Sequence, residues 1–490
     1  MKNGAENIDV DLAELAKTAM LERGFFADFP PEVQAEVAAI NAPANPPPIP
    51  SFKDMREKLW ISIDNDDSKD LDQLTYAEIA PDGKEMIYIA VADVDALVKK
   101  GSASDAYAYN NTTSVYTPEK IFPMLDPKLS TNLTSLNPDV DRCAVVVEIF
   151  VDKSGEFIPQ NIHLAWVHNY AKMAYSFVGD FIENGKSLPD TFMQMKGIKE
   201  QIILQDMLAQ RIQAFRDQEG ALTFASSELK PIIVNSKVVD VKTAEHNRAH
   251  KLIENFMISA NVAVTNFLID KGLPTLRRIV RTPDRWDRIV QLVKEYGTDL
   301  PPEPDSKALR LFLLKQSQEN ADNFPELSLA LIKLIGKGEY YAGFPNEESP
   351  GHFDLALIIY AHTTAPNRRF PDVVMQRLLK SHFFGEELPY TKDELMDIAA
   401  QCTQKENDSN KVERKMMKSA AALYLSSMIG KEFPAIVTGA SERGTWVRLS
   451  NPPIEGKLVR GTKGLDVGDK LRVKLVHTDV FFGYIDFIRA

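Results

Sequence analysis

Ser62-Ile63-Asp64-Asn65-Asp66-Asp67-Ser68-Lys69-Asp70-Leu71-Asp72-Gln73 sets a run of aspartates between two apolar segments, Leu59-Trp60-Ile61 before it and Leu74-Thr75-Tyr76-Ala77 after it. Carboxylates crowded this closely repel one another, and such clusters ordinarily have a cation beside them. They suit hard ions such as Mg2+ or Mn2+, and such sites commonly bring the ion to a phosphate. A calcium loop of the helix-loop-helix kind is excluded. Counted from Asp64 it needs Gly at its sixth position and Glu at its twelfth, where this chain has Lys69 and Thr75. On charge alone, a solvated acidic loop stays open as the alternative.

Working outward, the next residues read as strands: Met86-Ile87-Tyr88-Ile89-Ala90-Val91, then Ala144 to Val151. The latter runs into Asp152-Lys153-Ser154-Gly155 and back out through Phe157-Ile158, a hairpin pattern. Helical periodicity follows, with Ile198, Ile202, Met207, Ile212 and Phe215 on one face, and Leu252, Phe256, Val262 and Phe267 on another. The body is therefore expected to be mixed α/β. Before it, Leu12, Leu15, Ala16 and Ala19, then Val33, Val37 and Ile40, give a small helical unit. The proline run at 43–48 closes that unit as a linker, because prolines fix the chain extended and remove donors. The last sixty residues hold short strands such as Thr445-Trp446-Val447-Arg448-Leu449 between Gly-containing turns, the size of an OB-fold barrel.

The chain's 490 residues allow two or three domains. Cys143 and Cys402 alone give neither a disulfide framework nor a multi-cysteine metal site. Without a signal-like N-terminus or an apolar run of roughly 18 residues, the expectation is a soluble cytoplasmic protein with no membrane partner. The net charge of −12 speaks against nucleic acid at first sight. Residues 431–490, however, carry 10 Lys and Arg against 7 Asp and Glu, or +3, which leaves −15 for the remainder. An acidic catalytic body with a basic appendage fits both numbers. No G-x-G-x-x-G or G-x-x-x-x-G-K-[ST] stretch argues for a nucleotide cofactor.

A second dense cluster, Tyr360-Ala361-His362-Thr363-Thr364-Ala365-Pro366-Asn367-Arg368-Arg369-Phe370-Pro371-Asp372, places two arginines after a proline. Arginine's planar fork suits phosphate oxygens. Together with Ser-Ile-Asp…Asp-Leu-Asp, Ala92-Asp93-Val94, Tyr116-Thr117-Pro118 and Phe122-Pro123-Met124-Leu125, in that order, the chain resembles the RNase II/RNase R (RNB) family of exoribonucleases over residues 50 to 425. The resemblance implies an N-terminal helical domain and linker at 1–48, for which helix-turn-helix is one open arrangement. It also implies an α/β (α+β) RNB catalytic domain at 49–427 and an RNA-binding OB-fold at 428–490.

The resemblance further implies a hydrolytic 3′→5′ exoribonuclease that degrades single-stranded RNA to nucleoside 5′-monophosphates with Mg2+ or Mn2+. The protein is expected to act as a monomer. Asp64, Asp70 and Asp72 become the metal carboxylates, with Gln73 standing where well-known members have a fourth acid. Asp72, Asp70 and Arg368 become catalytic. Tyr116 becomes a base-stacking residue, with Arg369, Glu254, Glu413 and Phe224 as further substrate contacts. Gln73 also keeps a second reading open, an RNA-binding protein of this fold with impaired catalysis. The residues ahead of the RNB-like body are helical and acidic, where typical members carry two cold-shock domains.

Overall fold

The computed structural model describes residues 10–225, 229–234, 237–243, 246–321, 323–441 and 444–490. Two N-terminal helices, α1 (Leu12–Leu21) and α2 (Pro31–Ala39), precede the body. Asp11 caps α1 by accepting from the amides of Ala13 and Glu14, which satisfies two of the donors that a helix start leaves open. α1 packs on a long C-terminal helix and α2 on α3 (Ala103–Asn111). The two helices thus find their main packing partners on different parts of the body.

The body is built on a six-stranded sheet. It uses β1 (Lys53–Asp54), β2 (Trp60–Asp64), β3 (Gln73–Ile79) and β4 (Glu85–Ala92), then, after the small β5 (Val115–Tyr116) and β6 (Ile121–Phe122) pair, β7 (Asp141–Val151) and β8 (Phe157–Ala174). Strand order is β1-β8-β2-β3-β4-β7, and β8 pairs with β7 as well. The β7–β8 turn is the one expected from Asp152 to Gly155. Asp152 Oδ1 accepts from the amides of Ser154 and Glu156. Gly155 sits at φ +94°, and a Cβ there would meet the Arg211 carbonyl oxygen at 2.1 Å. Only glycine fits that corner.

The register decides where the acidic run lands. Asp64 ends β2 opposite Ala174, the last residue of β8, and Gln73 opens β3 opposite Val91. Residues 65–72 thus form the loop at one end of the sheet. Trp60, Ile61 and Ile63 before it, Leu74 after it and Leu71 within it are fully buried, each worth about 1.5–3 kcal/mol of burial. Those anchors hold a charged loop at a fixed place.

Helices cover the sheet: α4 (Tyr175–Asn184), α5 (Asp190–Met193), α6 (Ile198–Glu219) and, beyond the β9 (Leu229–Val234) and β10 (Lys237–Thr243) hairpin, α7 (Arg248–Asp270). α7 is long and apolar enough to cross a membrane, but 67% of that stretch is buried inside the protein. It is a core helix. β11 (Thr275–Ile279) pairs with β12 (Glu339–Gly343), and between them α8 (Trp286–Glu295), α9 (Ser306–Glu319) and α10 (Phe324–Ile335) enclose a small core of their own. α11 (Phe370–Phe384) and α12 (Lys392–Ser426) complete the body.

The C-terminal strands β13 (Glu432–Ser441), β14 (Gly444–Leu449), β15 (Glu455–Arg460), β16 (Lys470–Asp479) and β17 (Tyr484–Arg489) close into a barrel in the order β13-β14-β15-β17-β16. This is the expected five-stranded unit. Its core is continuous with Val412, Met416 and Leu425 of α12 and with Leu12, Ala16 and Met20 of α1. Both cysteines are free and buried.

Candidate active site

The acidic loop is held by bonds from several directions. Asp64 Oδ1 accepts from the Asn65 amide at 2.7 Å and from the Ser68 hydroxyl at 2.9 Å. The Leu71 amide donates to Ser135 Oγ, and Lys172 Nζ to the Ser68 carbonyl. Asp72 is 2% exposed, and its Oδ1 accepts from the Asn367 amide at 2.9 Å. Arg368 Nε lies 3.5 Å from Asp72 Oδ2. Burial pushes the Asp72 carboxyl up to about 8, with the charge of Asp70 acting in the same direction and Arg368 against it. Asp64 is raised as well, chiefly by burial.

The arginine block reaches this loop because its backbone is stitched to the segment before Tyr116. The Ser114 amide donates to the Arg368 carbonyl, and the Phe370 amide to the Thr112 carbonyl. Tyr116 is thereby set beside Arg368. Its hydroxyl donates to Asp70 Oδ2 at 3.3 Å, and its own amide donates to Glu413 Oε1 at 2.9 Å from α12. Glu413 therefore joins the site by holding Tyr116. The tyrosine remains 40% exposed, which leaves ring surface for a base.

Asp64, Asp70, Asp72, Gln73, Tyr116 and Arg368 all line one cavity of about 930 Å³. Asp66 also faces it, accepting from Ser176 Oγ at 3.2 Å. The cavity adds residues that sequence reasoning missed, among them Tyr175 and His250. Tyr175 follows directly on β8, so the strand register that ends at Asp64 delivers it there. It stacks on His250 with ring centroids 3.9 Å apart and planes 16° apart. Burial first, then His246 and Lys251, push His250 down to about 4 and keep it neutral. No local pattern marks Tyr175. The Asn247 and His250 pair carries a detectable signal, a capping box that starts α7.

Among the described residues, no group of three or more carboxylate, histidine or cysteine side chains is gathered tightly enough to enclose a metal ion. The donor set nevertheless fits a hard divalent cation. Three carboxylates and one amide oxygen share a cavity, and burial, only partly opposed by Arg368, pushes the Asp72 carboxyl toward its acid form. A cation removes that penalty.

Three expected contacts are placed elsewhere. Arg369 does not line the cavity: at the start of α11 its guanidinium donates to the buried Asp372 Oδ1 at 2.7 Å, while Asp372 also accepts from the Ala365 amide. Through Asp372 it is tied to the backbone of the arginine loop. Glu254 points off α7 to Lys251 at 2.7 Å and Arg216 at 3.9 Å. This is a helix-surface ion pair, because the neighbouring positions Ile253 and Met257 are the ones that face the cavity. Phe224 packs against the α8–α10 core. Its apolar ring is taken up there, away from the acidic loop.

The Ala92-Asp93-Val94 and Gln376-Arg377 stretches meet in a buried network. Arg377 binds Asp95 at 2.9 Å and Asp105 at 2.7 Å, and Lys380 binds Asp93 at 2.8 Å and Asp95 at 3.0 Å. Gln376 donates to the Ala92 carbonyl. These groups fasten α11, and through it the arginine loop, to the sheet.

The RNB domain family matches residues 52–385, and the family of RNase II-type exonuclease C-terminal S1 domains matches residues 431–490. The chain belongs to the RNB family. It is similar to Ribonuclease R of Thermotoga maritima, 30% identical over 493 residues that cover 94% of this chain and 68% of that protein. It is also similar to Ribonuclease R of Aquifex aeolicus, 29% identical over 438 residues, covering 87% of this chain and 60% of the relative. The fold is shared with Mycoplasma genitalium RNase R in complex with ribose methylated single-stranded RNA, at a TM-score of 0.87 and 23% identity over 98% of this chain and 78% of that one. The chain spans between about half and two thirds of the length of the curated relatives it matches, from 49% to 68%.

Proposed function

We propose that this protein is a hydrolytic 3′→5′ exoribonuclease that removes nucleoside 5′-monophosphates from single-stranded RNA with Mg2+ or Mn2+. One observation carries the reading: Asp64, Asp70, Asp72, Gln73, Arg368 and Tyr116, distant in sequence, line one cavity. A divalent ion held by Asp64, Asp70, Asp72 and Gln73 would supply an activated water and stabilise the leaving 3′-oxygen. The chain's own residues do the rest. Arg368, with 44% of its side chain exposed beside Asp72, offers a guanidinium to the scissile phosphate and offsets charge as it develops. Tyr116 gives the terminal base a ring to stack on, and Glu413 fixes that ring's backbone. The amide of Asn367 orients the Asp72 carboxylate.

A 5′-labelled RNA, its DNA twin and a 3′-phosphate version, each with and without EDTA, test this. Stepwise shortening of the RNA from its 3′ end, arrested by EDTA, is expected. Gln73 favours the second reading, an RNA-binding protein of this fold with impaired catalysis. RNA that is bound but left intact at saturating Mg2+ and Mn2+ would establish that reading instead.

A further inference from the structure

The acidic loop and the arginine block come from separate parts of the chain, and one buried segment is bonded to both. Leu129–Leu133 makes a single π-helical turn, which the Thr134 amide closes by donating to the Leu129 carbonyl at 3.0 Å. The next two residues bind the acidic loop. Ser135 Oγ accepts from the Leu71 amide at 2.9 Å and reaches the Lys69 carbonyl at 3.0 Å, and the Leu136 amide donates to the Leu71 carbonyl at 3.0 Å. Leu71 stands between Asp70 and Asp72. Holding both its amide and its carbonyl fixes the peptide planes next to the two aspartates.

Thr134 itself faces the arginine block. Its Oγ1 lies 2.6 Å from Asn367 Oδ1 and 2.9 Å from the Leu129 carbonyl oxygen. One hydroxyl proton cannot serve two oxygens, and Asn367 Nδ2 is buried without a hydrogen-bond partner among the described residues. Turning the carboxamide end for end resolves both: Nδ2 donates to Thr134 Oγ1, which donates on to the Leu129 carbonyl. The Asn367 amide meanwhile donates to Asp72 Oδ1 at 2.9 Å, and Nε of the next residue, Arg368, lies 3.5 Å from Asp72 Oδ2.

Thr134, Ser135 and Asn367 are 4%, 0% and 1% exposed. Burying such groups is unfavourable unless they bond, and apolar side chains could fill the same space. Directed bonds add what packing lacks, a set orientation. We propose that Thr134, Ser135 and Asn367 are positioning residues, which hold the arginine loop in register with the aspartate loop and so set Arg368 against Asp70 and Asp72. None of the three lines the acidic cavity, so they act through those groups and not on the RNA. The proposal rests on the exoribonuclease reading, in which a misplacement of about 1 Å costs up to about 100-fold in rate.

RNA degradation at saturating Mg2+ by Thr134→Val, which keeps the side chain's shape and loses its hydroxyl, tests it. The expected result is a kcat about tenfold lower, the worth of one buried hydrogen bond, with KM for RNA unchanged. Thr134→Ser restores the hydroxyl and should restore most of the rate. On an Arg368→Ala background the valine should cost less than about threefold, because most of what the pair positions is gone. A raised KM at unchanged kcat, no rescue by serine, or an equal loss without Arg368 overturns the proposal. Should Thr134→Val not fold, Asn367→Ala removes the same bond from its other side and is read in the same way. If the wild type degrades no RNA, the exoribonuclease reading fails instead. Hydrogen exchange then decides the positioning alone: the amides of residues 363–370 should exchange faster in Thr134→Val than in the wild type, and equal rates would count against it.

Discussion

At Asp72 burial and charge oppose each other. The carboxyl is 2% exposed and is pushed up to about 8, first by burial and then by Asp70. In the unfolded chain an aspartate titrates near 4. The folded, metal-free protein therefore holds this proton more tightly. The group's stabilising contribution is complete below pH about 4 and is lost as pH rises through about 8. A bound cation needs the carboxylate, so binding releases the proton and strengthens as pH rises. Mg2+ should accordingly raise the melting temperature more at about pH 8 than at about pH 6. An equal shift at both, in differential scanning calorimetry, would show that Asp72 is not a ligand. Gln73 supplies an oxygen without charge, so Gln73→Asp should lower the Mg2+ concentration for half-maximal activity by about tenfold, roughly one charge's worth at a partly exposed site. A superimposable metal titration would remove Gln73 from the site. These residues were legible because charge density and the downstream arginines are local patterns. Tyr175 was not, because only the β2–β8 register brings it in, and the capping box that contains His250 marks a helix start without saying that the ring stacks on Tyr175.

Among the elements, α11 shows how a loop's chemistry depends on a buried anchor. Asp93 and Asp95 face Lys380 and Arg377 in the interior. Removing one partner from such a group leaves a charge unpaired, at a cost of about 3–5 kcal/mol. Lys380→Met should lower stability by that amount in urea denaturation, and a loss below about 1 kcal/mol would mean that water reaches the aspartates. Gly155→Ala should also destabilise, by about 2–4 kcal/mol, because the added carbon meets the Arg211 carbonyl oxygen. Neutral behaviour in the same assay would place that turn elsewhere. The hairpin was plain from its turn residues. The α11 anchor was not: Asp93 stood in a family-like stretch, and nothing in the sequence says that it and Asp95 pair with Lys380 and Arg377 inside the core.

Across the whole molecule, the three expected units are less separate than their composition suggests. Alternation of short strands showed the barrel, and periodicity showed α1, but neither shows that Val412, Met416 and Leu425 of α12 bury against both. Deleting residues 432–490 should therefore destabilise the remainder, since each exposed core side chain costs about 1.5–3 kcal/mol. An unchanged melting temperature would show an independent barrel. The same α12 carries Glu413, which holds Tyr116, so the body, the long helix and the Tyr116 ring form one structure around the acidic loop. The most direct test of that account compares Asp72→Asn with the wild type on one 5′-labelled oligoribonucleotide, measuring cleavage and binding on the same samples. The account predicts cleavage slowed at least about 100-fold with affinity for the RNA retained. Cleavage at the wild-type rate would contradict it.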